Sequence, residues 1–344
     1  MKKILSFVVV LSLTLCLFAC APAPIQNEDV TPDTSVENNE NELIVPEVET
    51  VRLAGLKGPT TIGLVKLLSD NDAGVSANKY EFTMAGNADE IAPKLMKGDL
   101  DVAAIPANLA SVLYNNSNGN IKVLAVNTLG VLYIVEKGGI VSEISDLVGK
   151  TVYATGKGQT PEYTLRYILE QNGIDPDNDL TIEFKSEPTE VVSVLGSSET
   201  GVAMLPQPYV TVAMSSVEGL SNVIDLNAEW DKLGEGSKLV TGVVVATKDF
   251  VENNPNTVKA FLEEYEKSIN YCNENVSDAA VLVGNLGIVK APVAEKAIPY
   301  CNVKFISGNE MKEAVSGYLE VLASQNIKAV GGNLPSEDFY FIAE

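Results

Sequence analysis

Val51-Arg52-Leu53-Ala54-Gly55-Leu56-Lys57-Gly58-Pro59-Thr60-Thr61 carries the reading that decides the fold of this 344-residue chain. A short apolar run ends in a Lys-Gly turn, and Pro59 then stands where the first turn of a helix accepts proline. The same grammar recurs at Phe82-Thr83-Met84-Ala85 before Gly86-Asn87-Ala88-Asp89-Glu90, and at Ala104-Ile105 before Pro106-Ala107-Asn108. It recurs again at Val152-Tyr153-Ala154 before Thr155-Gly156-Lys157-Gly158-Gln159-Thr160-Pro161-Glu162, and at Met204-Leu205 before Pro206-Gln207-Pro208-Tyr209. Apolar strands alternating with helix-period segments mark parallel sheets covered by helices, an α/β fold. In such sheets these turns share the carboxyl ends of the strands, where open α/β sheets take ligands. Thr160 before Pro161 reads as a helix N-cap, and Asn87 with Glu90 as a capping-box-like pair. Any α/β protein needs caps; the convergence of five turns, three of them with glycine, is what points to a ligand cleft.

Outward from these turns, strands are expected at Val51–Leu56, Tyr80–Ala85, Val102–Ile105, Ile121–Asn127, Leu132–Val135, Thr151–Ala154, Leu180–Lys185, Val202–Leu205, Asn222–Asp225 and Val240–Ala246. After Val251 the pattern becomes purely helical. Val258, Phe261, Leu262, Tyr265, Ile269 and Cys272 share one helix face, and Met311, Val315, Tyr318, Leu319 and Leu322 share another. Chain crossings between two blocks are expected near Tyr133–Gly138 and near Val240–Thr247, and two crossings make a hinge. The expected division is lobe one over 49–136, lobe two over 137–240, and a second, mostly helical part of lobe one over 241–344.

Composition excludes several functions. With 46 Asp+Glu against 24 Lys+Arg the formal charge is -22, and Arg52 and Arg166 are the only arginines, so no nucleic-acid partner is expected. The chain has no histidine, which removes Ser-His-Asp and Cys-His catalysis and the usual zinc ligand sets. Gly156-Lys157 lacks the glycine five residues earlier that a phosphate loop needs, since Thr151 stands there. Asp175-Pro176-Asp177-Asn178-Asp179 resembles the start of a calcium loop, but Leu180 replaces the required glycine and Ser186 the bidentate acid, so it reads as a helix-to-strand turn. No cofactor, metal or catalytic residue is expected.

The N-terminus reads as a secretory signal over 1–19, with Lys2 and Lys3 before an apolar run too short to span a bilayer. Leu17-Phe18-Ala19-Cys20 resembles the bacterial lipobox, which implies a lipidated Cys20. Residues 20–48, with four prolines and an acidic bias, read as a flexible tether. Of the remaining cysteines, Cys272 continues a core stripe, and the sequence leaves a disulfide between Cys272 and Cys301 open.

The lipobox, the acidic tether, Gly-Pro-Thr-Thr at 58–61, Gly-Asn-Ala-Asp-Glu at 86–90 and Leu-Val-Gly-Lys-Thr-Val-Tyr-Ala-Thr at 147–155 together resemble the substrate-binding lipoproteins of ABC importers. Within these, the branch serving sulfonates, nitrate and thiamine-pyrimidine or flavin-type precursors is the most similar. The resemblance implies a two-lobed type II periplasmic-binding-protein fold with the helical C-terminal region on lobe one. It implies a monomer, lipid-anchored on the extracytoplasmic face, that closes on a small molecule and delivers it to a permease driven by an ATPase. Carried over by position, ligand contacts fall on Gly58, Pro59, Thr60, Thr61, Gly86, Asn87, Pro106, Asn108 and Thr128 of lobe one. Gly158, Gln159, Thr160, Gln207 and Tyr209 follow from lobe two, with Thr241 near the hinge. Amino-acid ligands are disfavoured because neither arginine is placed to clamp a carboxylate. A heteroaromatic precursor is favoured over a sulfonate-like anion, because a chain at -22 offers an anion no long-range attraction. A sensory binding protein of the same fold, or an enzyme on this scaffold, are the alternatives.

Overall fold

The computed structural model describes residues 49–233 and 237–343. The signal over 1–19, the lipidated Cys20 and the tether over 20–48 lie outside the described residues. In chain order the strands are β1 (Thr50–Leu56), β2 (Lys79–Ala85), β3 (Val102–Pro106), β4 (Ile121–Thr128), β5 (Leu132–Lys137), β6 (Thr151–Ala154), β7 (Thr181–Phe184), β8 (Gly201–Pro206), β9 (Leu220–Asp225), β10 (Gly242–Thr247) and β11 (Val303–Ser307). They form a six-stranded sheet, β11-β4-β10-β3-β1-β2, and a five-stranded sheet, β7-β6-β8-β5-β9.

Both sheets are mixed, where the sequence pattern predicts parallel ones. β1 runs parallel to β2 and β3, and β6 parallel to β7 and β8, but β10 is antiparallel to both neighbours and so is β5. The reason is the crossings. Resident strands finish at the cleft, so a chain arriving from the other lobe enters at that end and runs away from it. The first crossing is shorter and earlier than expected. Leu132–Lys137 is already bonded between β8 and β9, so the crossing is 129–131 and not Tyr133–Gly138, and lobe two begins before residue 137. Gly130 is required there by close approach, since a Cβ on it would lie 2.6 Å from Cβ of Asn227. The return crossing ends where β10 starts at Gly242, inside the expected stretch.

The helices are α1 (Pro59–Ile62), α2 (Val65–Asp72), α3 (Ala92–Lys97), α4 (Ala107–Asn116), α5 (Thr160–Gln171), α6 (Pro188–Ser197), α7 (Tyr209–Ser216), α8 (Leu226–Lys232), α9 (Lys248–Asn253), α10 (Pro255–Glu274), α11 (Val276–Asn285), α12 (Ala291–Ala297) and α13 (Gly308–Gln325). The two predicted stripes are what these helices bury. On α10, Val258, Phe261, Tyr265, Ile269 and Cys272 enter the core on one side of the six-stranded sheet, and on α13, Met311, Val315, Tyr318, Leu319 and Leu322 enter the core on the other. The C-terminal region therefore packs on lobe one. It is not purely helical, because β11 adds an edge strand antiparallel to β4. Cys272 and Cys301 are both buried free thiols.

The second core extends past the hinge. Trp230 of α8 sits between Tyr167 of α5, with ring centroids 4.8 Å apart, and Tyr318 of α13, at 5.5 Å. Three large rings, each nearly or fully buried, join the lobes with an apolar contact beside the crossing.

Candidate functional site

Six strand-to-helix turns, not five, meet between the lobes and line a cavity of ≈ 160 Å³. β1 ends in Lys57-Gly58, and Lys57 N–H donates to Ala85 O at 2.8 Å, which ties this turn to the end of β2. Across the cleft, the turn after β6 needs Gly156 and Gly158 at φ 77° and 73°, a region that side chains with a Cβ rarely adopt. The sixth turn, Ser186-Glu187-Pro188 between β7 and α6, contributes Ser186 and Pro188 to the wall. The strand Leu180–Lys185 is among those expected, and the turn after it follows the same grammar as the other five.

Of the residues expected to contact a ligand, Gly58, Pro59, Thr60, Gly86, Asn87, Pro106, Gln159, Thr160, Tyr209 and Thr241 line this cavity. Five do not. Thr61 donates its hydroxyl to Leu56 O at 2.5 Å and closes its own turn. Thr128 donates to Asn127 Oδ1 at 2.9 Å within the sheet. Gln207 accepts from the hydroxyl of Thr211 at 2.9 Å and braces the first turn of α7. Gly158 N–H donates to Glu162 at 2.6 Å, and its carbonyl accepts from Asn108 at 3.3 Å. Asn108 lies behind the wall, with its amide spent on protein partners. Lining residues that the sequence reading did not assign to the ligand include Leu56, Ala88, Leu132, Thr155 and Pro161.

Capping differs from expectation as well. The residue before α5 is Gln159, which makes no side-chain cap, and Thr160 is already helical. Asn87 gives its amide to Glu90 Oε1 at 2.9 Å instead of closing a capping box.

The chemistry of the wall is nearly charge-free. Both arginines are committed elsewhere, Arg52 to Asp101 and Arg166 to Glu162 and Asp177. Lys57 is the one cationic lining residue, and it is exposed. Tyr209 is 4% exposed; burial, with the charge of Glu187 next, pushes its phenol up to about 12, so it remains a donor. Its hydroxyl reaches Lys57 O across the cleft at 3.5 Å. Two lining hydroxyls, Thr60 Oγ1 and Thr241 Oγ1, are buried with no hydrogen-bond partner among the described residues. A buried polar atom left unpaired costs about 1–3 kcal/mol. A larger void of ≈ 470 Å³ opens on the surface along α13, lined by Glu310, Glu313 and Glu320 with Lys238. Its lining comes from α13 and from Ser237-Lys238, with no strand-to-helix turn among it. Among the described residues, no group of three or more acidic or cysteine side chains is placed to hold a metal.

Solved structures share this architecture. An ABC transporter structure from Parabacteroides distasonis aligns with a TM-score of 0.71 at 24% identity, covering 86% of this chain and 99% of its own. The ligand-binding component of an ABC-type import system from Staphylococcus aureus, with zinc bound, aligns at 0.68 and 17% identity over 86% of this chain and 97% of its own. The alkanesulfonate-binding protein of Xanthomonas axonopodis pv. citri, bound to MOPS, gives 0.65 and 12% over 84% and 96%. In sequence, the family described as NMT1/THI5 like matches residues 121–279, and no curated protein matches the chain. The fold is thus the two-lobed type II periplasmic-binding-protein fold that the resemblance implies.

Proposed function

We propose that this chain is an extracytoplasmic solute-binding protein that closes its lobes on a small molecule and hands it to the permease of an ABC importer. The observation that carries this reading is the cavity at the carboxyl ends of strands in both sheets, to which both lobes contribute and among whose lining residues two buried hydroxyls lack partners. A cavity of roughly 150 Å³ takes one benzene-sized ring, and ≈ 160 Å³ is available. That size, the proline-rich wall and the single exposed lysine favour a neutral heteroaromatic ring over a sulfonate-like anion. The contacts would be those expected residues that line the cavity, above all Thr60, Thr241, Gln159 and Tyr209. The chain binds and releases, with no chemistry of its own. It acts at the outer face of the membrane, held by a lipid on Cys20 and a tether over 20–48.

Mass spectrometry of whatever co-purifies, followed by thermal shift and scattering with that compound, tests the reading. Binding accompanied by compaction is expected. Turnover of the compound, or no response to heterocycles, sulfonates and nitrate alike, would overturn it. Cys20→Ala should release the chain from membranes, and a variant that stays bound would remove the anchor from the proposal.

A further inference from the structure

Asn108 is 1% exposed and its amide is saturated. Nδ2 donates to Ala329 O at 3.2 Å and to Gly158 O at 3.3 Å, while Oδ1 accepts from Thr160 N–H at 2.9 Å and from the Thr160 hydroxyl at 3.2 Å. An amide has two donor hydrogens and two acceptor lone pairs, so nothing remains for a ligand. Ala329 belongs to lobe one, as Asn108 does through α4, whereas Gly158 and Thr160 belong to the turn and first residue of α5 in lobe two.

A helix leaves its first N–H groups unpaired, and an Asn or Asp oxygen is among the best groups to satisfy them. The residue before α5 supplies no such oxygen, and Asn108 supplies it from the opposite lobe. Its partners lie in different lobes, so opening of the cleft would break the cap. Thr160 also lines the cavity, so the residue held by the cap is one that shapes the site.

We infer that Asn108 is a positioning residue, a helix cap given in trans, which holds the lobes closed and sets the fraction of chains competent to retain a solute. The inference rests on the solute-binding reading for its biological use but not for its test. An N-cap replaced by alanine shifts an equilibrium by about 2- to 30-fold, and apparent affinity scales with the competent fraction.

The full chain and its Asn108→Ala, Asn108→Asp and Thr160→Val variants are refolded from denaturant to strip small molecules, then compared by small-angle scattering. Stripped wild type is expected to populate the closed form in part, with a radius between those of the opened and the ligand-closed protein. Asn108→Ala should show the larger radius of an opened cleft, Asn108→Asp should open as well because a carboxyl oxygen replaces the Nδ2 that donates to Gly158 O and Ala329 O, and Thr160→Val should shift the same way as alanine but less. A wild-type radius for Asn108→Ala overturns the inference, as does a wild-type radius for Thr160→Val should the alanine variant not fold. Titration with uracil, nicotinamide and ethanesulfonate adds a second readout. For every one of these that binds wild type, Asn108→Ala should weaken binding by one common factor; a factor that depends on the compound would make Asn108 a ligand contact and overturn the inference. Absence of binding by all three weakens the solute-binding reading, while the scattering comparison still decides the cap.

Discussion

The methyl of Thr60 occupies the space that any side chain on Gly242 would need: a Cβ built on Gly242 lies 2.5 Å from Thr60 Cγ2 and 2.6 Å from Asn127 Oδ1. Gly242 is the first residue of β10 after the return crossing, and Thr60 is in the turn of α1 that lines the cavity. The hinge strand and the ligand wall are therefore in contact at a position that tolerates no extra carbon. Gly242→Ala should destabilise the fold by about 1–3 kcal/mol through overpacking, measured by urea unfolding, and should displace Thr60 enough to weaken binding of the co-purifying compound. Wild-type stability in this variant would show that the wall yields freely.

Thr60 and Thr241 predict an opposite pattern. Each hydroxyl is buried without a partner among the described residues, so removing it takes away an unsatisfied group and no protein hydrogen bond. Thr60→Val and Thr241→Val should leave the unfolding free energy unchanged or raise it, while each weakens binding of the co-purifying compound by about 1–3 kcal/mol. Thr60→Ser and Thr241→Ser, which keep the oxygen, should bind much more like wild type. Equal losses of stability and affinity in the valine variants would place the hydroxyls in the scaffold instead.

What was legible in the sequence was whatever local spacing encodes. The stripes on α10 and α13 are read from residues three and four apart, and the turns Lys57-Gly58 and Gly86-Asn87 from neighbours, so both were found. The role of Asn108 depends on Ala329, 221 residues away, and on Thr160, 52 away, and no local pattern records such a pairing. β11 was hidden because Lys304 interrupts the apolar residues of Val303–Ser307, an edge strand set between helices, whereas β3 and β6, which are no longer, carry unbroken apolar runs. The first crossing was misplaced because Leu132–Lys137 has the apolar pattern of a strand wherever it pairs, and pattern does not say in which sheet.

Tyr209 gives the alkaline limb of stability a definite sign. Its phenol is raised to about 12 in the folded protein, by burial first, against about 10 in the unfolded chain. Between these values the unfolded state has lost the proton and the folded state has kept it, so unfolding releases protons and stability falls as pH rises from about 10 toward 12. The contribution is on the order of 2 kcal/mol, fully present below about pH 10. Tyr133, Tyr318 and Tyr340 are raised to about 12 as well, so wild type alone does not isolate it. Urea midpoints at pH 9, 10 and 11 should decline less steeply for Tyr209→Phe than for wild type; parallel declines would remove Tyr209 from the effect.

The two cysteines of the folded body predict a burial-gated reaction. Cys272 donates its thiol to Ile62 O at 3.3 Å, and Cys301 is fully buried. Burial pushes both thiols upward, Cys272 to about 12, and the thiolate is the reactive form. Neither should react with a colorimetric thiol reagent in the native protein at pH 8, and both should react on unfolding without any reductant. The denaturant midpoint of their exposure should coincide with that of Trp230 fluorescence, because Cys272 lies in the lobe-one core and Trp230 in the aromatic contact that joins the lobes. An earlier midpoint for the thiols would mean that lobe one opens before the junction does, and silence of both thiols in the unfolded chain would establish a disulfide between them.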